Sequence, residues 1–467
     1  MSDESTDKGP TGRLEIDGRV LHLTLILAVA FGLRLWRLDH WSLWYDEVVT
    51  MRLARAPGPS AMLDLIRRID ATRAPLFPLL LMGWLRAFGD SDLAARSLGA
   101  LLGVLTVVVV YATGRSAFDE RTGRWAAWFC ALCPTLVYYS QEVRMYALLL
   151  PLTVLSWWAL LAFRRSATPG HVLGYAALLS ALIYTHPIGL FMVAAHGVAY
   201  LAVRRHLVLG PGRWFAAMGL AGASVLPWIG RYLDHPPEYL LPRYPIRFLL
   251  SVPIEYIGGN SLTLLPLAAL IAAGLVTLRG RCPALREPAP GVATLCWFVV
   301  PPVLIFAYSF VGYPIFGPAR VHLFVAPAYL LLVARGLAIL PRWARLAAVA
   351  AILPLMIHGL ATRTYAPGLK VDYRAFARWL QEQGDERALV VLHNHDPHPQ
   401  YEAACYYLVP GAEVVLDRGA GPSPPVTPPT GTTLYHAYCL RPGGKTGPRG
   451  EQPLQTFYGL TITRGIP

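Results

Sequence analysis

Two adjacent carboxylates, Asp46 and Glu47, stand in the stretch HWSLWYDEVV, just after the apolar run LHLTLILAVAFGLRLW. Acids at the edge of so apolar a segment need partners or a task, because an unpaired charge beside a bilayer is costly. Three more polar groups follow. YYSQEVRMY brings Tyr139, Gln141, Glu142 and Arg144, YTHPIGLF brings His186, and YPIFGPARVH brings Arg320 and His322. A carboxylate can serve as general base toward a hydroxyl or an amine. Arginines can grip a phosphate through parallel hydrogen bonds and stabilise it as a leaving group. Together these residue types describe transfer of a group from a phosphate-bearing donor to an acceptor.

Each residue also has a plainer use. Asp46 and Glu47 could cap a helix or pair with loop arginines, and surface ion pairs are common and energetically modest. Arg144 could pair with Glu142 or hold lipid phosphates without specificity. His186 could simply finish a helix before Pro187. Tyr138, Tyr139, Trp41 and Trp44 fit a belt of interfacial aromatics. The combination carries more weight than any single member.

The elements that must position these residues are membrane spans. Of 467 residues 55% are hydrophobic and only 15% charged, with mean hydropathy +0.43, whereas a soluble domain carries about a quarter charged residues. The net charge of +13 therefore reads as topology and lipid-headgroup contact rather than nucleic-acid binding. Apolar runs predict eleven spans near 20–37, 93–113, 125–139, 145–163, 171–185, 188–203, 213–230, 260–278, 292–311, 321–340 and 343–361, most of them long enough for a hydrocarbon core of about 30 Å and the third short. LFPLLLMGWLRAFG is too short to span and reads as an interfacial helix. AMLDLIRRID sets Met62, Leu65, Ile66 and Ile69 on one face, as a helix lying in the interface plane would. The polar start (1–19) lacks the form of a cleaved signal, so the first run is expected to remain as an anchor. With the N-terminus inside, the inner segments carry 16 Lys and Arg and the four short outer loops carry five, in keeping with the positive-inside rule. The first outer loop, 38–92, then becomes a structured platform, and the four polar groups converge on the outer face, as a site between helices requires.

Residues 362–467 change character. DYRAFARWLQEQ reads as an amphipathic helix, ERALVVLH and AEVVLD as buried strands, and TTLYHAYCL and LQTFYGLTIT as two more. A small α/β extracytoplasmic domain is expected there, its placement suggesting a part in acceptor selection. Cys405 and Cys439 could pair if that compartment is oxidising.

WYDE, YYSQEVRMYAL and RAPLFPLLLMGWLRAFGDSDLAARSLGALLG resemble the GT-C superfamily of integral-membrane glycosyltransferases, over roughly 20–340. The branch resembled is the dolichyl-phosphate-mannose–protein mannosyltransferase family with its aminoarabinose-transferase-like bacterial relatives. The resemblance implies a GT-C transmembrane domain (20–361), a polyprenyl-phosphate sugar donor and inverting displacement at the anomeric carbon. The acceptor would be a protein, a lipid or a glycan, at the outer face of a bacterial or archaeal plasma membrane. It makes Asp46 the general base and gives Glu47 a part in shaping the site or binding the acceptor. Arg144 would contact the donor phosphate with Glu142 orienting it; Tyr139, His186 and Arg320 are placed with the substrate by topology and family habit. Where many relatives have His-Pro-Pro, this chain has Arg73-Ala74-Pro75, and Arg73 is a candidate phosphate contact. No metal or other cofactor is expected to be required, although a divalent ion is left open. Adjacent Asp46 and Glu47 do not resemble the opposed acids of a retaining glycosidase. The competing classes are a transporter or flippase of lipid-linked saccharide, which would favour charges at the bilayer midplane, and a non-catalytic partner in polysaccharide assembly.

Overall fold

In the computed structural model the described residues are 18–69, 74–234, 242–256, 268, 270–271, 288–317, 319–366, 370–383, 388–394, 406–407, 412–417, 432–439, 454–457 and 460–464. The helices run α1 (Gly18–Leu35), α2 (Tyr45–Ala54), α3 (Pro59–Ile69), α4 (Leu76–Phe88), α5 (Asp92–Ala117), α6 (Glu120–Leu132), α7 (Pro134–Ser140), α8 (Tyr146–Ala162), α9 (Pro169–Thr185), α10 (Gly189–Val203), α11 (Pro211–Asp234), α12 (Ser251–Glu255), α13 (Ala289–Val311), α14 (Ala326–Ile339), α15 (Arg342–Gly359) and α16 (Tyr373–Glu382). Five described helical segments are long and apolar enough to cross a membrane: Gly18–Leu35, Asp92–Ala117, Ala289–Val311, Arg320–Ile339 and Arg342–Thr364. The chain is a multi-pass membrane protein. The span expected at 260–278 lies, but for three positions, outside the described residues.

One expected span is broken. In place of a single span at 125–139, a helix starts at Glu120 and divides at Cys133 into α6 and α7. Pro134 has no N–H, so the carbonyl four residues back loses its helical donor. Arg34, buried on α1, supplies the replacement: Nη2 donates to the Cys130 carbonyl and Nη1 to that of Ala131, each at 3.2 Å. A basic side chain inside an apolar helix is thereby spent on a proline break.

Helix α5 is the element against which the site is built. Ser91 caps it, its Oγ accepting from Ala94 N at 3.1 Å, with Asp92 adding negative charge to the first turn. On its inner face a Cβ at Gly99 would lie 2.7 Å from the Ser140 carbonyl oxygen and 3.0 Å from that of Glu142. Only glycine lets the α7–α8 turn, which carries Glu142 and Arg144, come that close.

Between α1 and α5 the loop folds into α2, α3 and α4. Met62 and Ile66 are fully buried while Asp64, Arg67 and Arg68 face out, as the periodicity of α3 predicts. Gly89 (φ 97°) ends α4 in the left-handed region that disfavours a side chain. This layer does not stand alone. Leu43, Val48, Met51, Phe77 and Leu81 share one apolar cluster with Tyr373, Phe376 and Leu380 of α16 and with Val390, Tyr435 and Ile462 of the following strands.

Those strands are β1 (Ala388–Asn394), β2 (Ala412–Asp417), β3 (Thr433–Cys439), β4 (Gln455–Phe457) and β5 (Leu460–Arg464), in spatial order β2-β1-β3-β5-β4. β1 is parallel to both β2 and β3, and β5 is antiparallel to β3 and β4. LQTFYGLTIT, read as one strand, is two that pair Phe457 with Leu460. The suggested Cys405–Cys439 pairing and Arg73 fall outside what is described.

Candidate active site

Adjacent residues on a helix point about 100° apart, and this separates the two acids at the start of α2. Trp44 N donates to Glu47 Oε2 at 3.3 Å, which satisfies one of the free donors at the helix start. Glu47 then turns inward, its side chain 0% exposed against 17% for Asp46.

Three further groups surround the Glu47 carboxylate. Arg96 of α5 reaches both oxygens, with Nη2 3.2 Å from Oε2 and 3.3 Å from Oε1. Val143 N donates to Oε1 at 3.0 Å, and Lys370 Nζ donates to Oε2 at 2.9 Å. Burial alone would push the Glu47 carboxyl up, but Arg96, Lys370 and the Val143 amide overcome it and hold it down at about 2. Arg96 is itself fixed by the carbonyls of Leu38, Trp41 and Ser42 at 3.2, 2.6 and 3.2 Å. Of the two roles open to Glu47, this enclosure favours shaping the site over touching an acceptor.

Asp46 faces Arg144. Arg144 Nη2 lies 3.4 Å from Asp46 Oδ2, while Nη1 donates to the Asp46 carbonyl at 3.2 Å and to Thr50 Oγ1 at 3.4 Å. The guanidinium sits 5.9 Å from the centre of the Tyr146 ring, and its buried Nε–H has no hydrogen-bond partner among the described residues. Glu142, expected to orient Arg144, instead pairs through Oε1 with Lys370 Nζ at 3.0 Å; its buried Oε2, near the Tyr138 hydroxyl, meets no donor at hydrogen-bond distance among the described residues.

Around this pair runs an aromatic wall. Tyr139 meets Tyr146 edge to face at 5.3 Å, and the His186 ring lies 5.7 Å beyond Tyr146. Arg320, half-buried, is near enough for its charge to act on Tyr139. The fold therefore brings together Asp46, Glu47, Glu142, Arg144, Tyr139, His186 and Arg320 from four separate stretches of chain. Among the described residues no group of three or more His, Cys, Asp or Glu is placed to hold a metal.

Three participants were not singled out from the sequence: Arg96, Tyr146 and Lys370. Arg96 had a signal, being charged inside the expected 93–113 span. Lys370 had a weaker one, as one of three lysines in the chain, between the last span and the amphipathic helix.

Comparison with known proteins bears on the fold that carries this site. Residues 72–230, about a third of the chain, match the family described as dolichyl-phosphate-mannose-protein mannosyltransferase. No curated protein matches by sequence. The fold is similar to that of ArnT from Cupriavidus metallidurans in the apo state, with TM-score 0.61 and 13% identity over 96% of this chain and 98% of that one. For the same protein bound to undecaprenyl phosphate the TM-score is 0.60, at 13% identity, over 95% and 97% of the two chains. The Archaeoglobus fulgidus oligosaccharyltransferase AglB, in complex with an inhibitory peptide and a dolichol-phosphate, gives TM-score 0.52 at 14% identity, over 85% of this chain and 64% of that one. These are GT-C glycosyltransferases, and the chain has the GT-C fold that its motifs anticipated.

Proposed function

We propose that this protein is a membrane glycosyltransferase that takes a sugar from a polyprenyl-phosphate donor and passes it to a protein, lipid or glycan acceptor. The observation that carries the reading is the Asp46–Arg144 pair at 3.4 Å. It sets a part-exposed carboxylate beside a guanidinium that keeps one N–H unused among the described residues, on a fold similar to that of ArnT from Cupriavidus metallidurans, which binds undecaprenyl phosphate.

In the reaction, an acceptor hydroxyl or amine attacks the anomeric carbon from the face opposite the phosphate, so the configuration inverts. Asp46 takes the proton from the attacking group. The bond from the anomeric carbon to the phosphate oxygen breaks, its electron pair stays on that oxygen, and the lipid phosphate leaves. Arg144 stabilises the charge that develops there, with Arg320 and His186 completing the donor side and Tyr139 and Tyr146 lining the sugar. The positive charge comes from guanidinium groups, and the proposal calls for no metal. We read the eleven apolar segments as spans that put this site and the tail on the outer face, where nucleotide-activated sugars are scarce and a lipid-linked donor is the available form.

The test is Asp46→Asn in protein reconstituted with lipid-linked sugars. Transfer should be lost while undecaprenyl phosphate still binds. Undiminished transfer would remove Asp46 from the role of base, and lipid movement without transfer would favour a flippase.

A further inference from the structure

The tail does not merely sit beside the site; one of its residues reaches into it. Lys370 precedes α16, yet its ammonium, 8% exposed at the side chain, bridges Glu47 Oε2 at 2.9 Å and Glu142 Oε1 at 3.0 Å. The rings of Trp44 and Tyr138 lie 6.0 and 5.7 Å from it. A network of contacts fixes the lysine at this depth. Asp92 accepts from Arg374 Nη2 at 2.9 Å and from the hydroxyls of Tyr406 and Tyr407 at 3.1 and 2.6 Å. Ser42 donates to Asp372 at 3.1 Å and accepts from Arg374 N at 2.9 Å.

Among the described residues Lys370 is the cation that forms an ion pair with Glu142. Asp46, Glu47 and Glu142 are opposed by Arg96, Arg144 and Lys370. Buried charges must be matched or displaced, and Arg96 is already committed to Glu47. If Lys370 were removed, Glu142 would be left facing Arg144, two residues along the same turn, on which its charge already acts.

We propose that Lys370 is a positioning residue for the transfer reaction: by occupying Glu142 it keeps Arg144 free to share its guanidinium between Asp46 and the lipid phosphate. A transmembrane domain without a docked tail would then hold its own phosphate-binding arginine in a pair with Glu142. The inference rests on the functional reading above and adds that the tail completes the site electrostatically.

The test is binding of undecaprenyl phosphate to the full-length protein in lipid nanodiscs, with thermal unfolding of each variant followed in parallel. Lys370→Met should weaken binding about tenfold, the worth of roughly one charge-assisted hydrogen bond. Adding Glu142→Gln should restore most of it, because the competitor for Arg144 loses its charge. Binding by Lys370→Met equal to wild type would overturn the inference while leaving the function standing. So would a double variant no better than the single, since Lys370 would then be a tail anchor only. Should the single variant not fold, the double carries the test: near-normal binding supports the role and weak binding overturns it. Failure of the wild type to bind, or indifference to Arg144→Ala, would instead overturn the functional reading beneath it.

Discussion

Two buried polar clusters in this protein differ in one informative way. Inside the bundle, His196 has both ring nitrogens engaged, Nε2 with Ser156 Oγ at 3.0 Å and Nδ1 with the Tyr175 hydroxyl at 2.9 Å, and Trp157 is stacked on the ring at 4.2 Å. The histidine's own hydrogen bonds close there, although the stacked Trp157 leaves its indole N–H without a partner among the described residues. At the other, six ionisable side chains crowd together, and Arg144 Nε and Glu142 Oε2 are left over. A buried network that closes on itself specifies packing. One that is charged and incomplete requires a functional explanation, because unpaired buried groups are costly to keep.

The contrast can be broken in several places. The largest effect is expected at Asp46: replacement by Asn should cut transfer by about 10² to 10⁴, the usual worth of a positioned base, with little change in thermal unfolding. Glu47→Gln should do the reverse first. It strands Arg96 and Lys370 in the interior and should lower stability by about 3–5 kcal/mol, measured by thermal or denaturant unfolding of the solubilised protein. At His196, replacement by Leu strips partners from Ser156 and Tyr175 and should cost about 1–3 kcal/mol without altering turnover per folded molecule. A large drop in turnover there would erase the distinction between the clusters.

The smallest effect is a pH dependence. The Glu47 carboxyl is held at about 2, below its ordinary value of about 4.3. Its stabilisation is therefore fully present above the unfolded value and is lost as pH falls toward about 2. The stability gap between wild type and Glu47→Gln should stay level from neutral pH to about 5 and narrow below about 4. A gap that closed already between pH 7 and 5 would mean that the carboxylate is not held by Arg96 and Lys370 as described.

How far the sequence carried these conclusions depends on distance along the chain. Apolar length marks a span directly, so α1, α5, α8, α13 and α15 lie close to where composition places them. The amphipathic period likewise finds α3 and α16. The break at Pro134 escaped because a run can stay apolar while its hydrogen bonding fails, and the compensating donor, Arg34, lies 96 residues from the carbonyl it serves. In the site, Asp46 and Arg144 were legible through motif resemblance. Lys370 was not, since its partner Glu47 is 323 residues away and no local pattern encodes that pairing. The two acids were legible as a pair but not as two environments, because spacing cannot say which neighbour on α2 faces the core.

The central claim, transfer from a lipid-linked phosphate sugar through Asp46, is tested most directly by mass spectrometry of the lipid-linked sugars in cells lacking this protein. The account predicts accumulation of a polyprenyl-phosphate sugar that returns to normal when the wild-type protein is restored and persists with Asp46→Asn. A lipid-sugar profile identical in all three strains would contradict it.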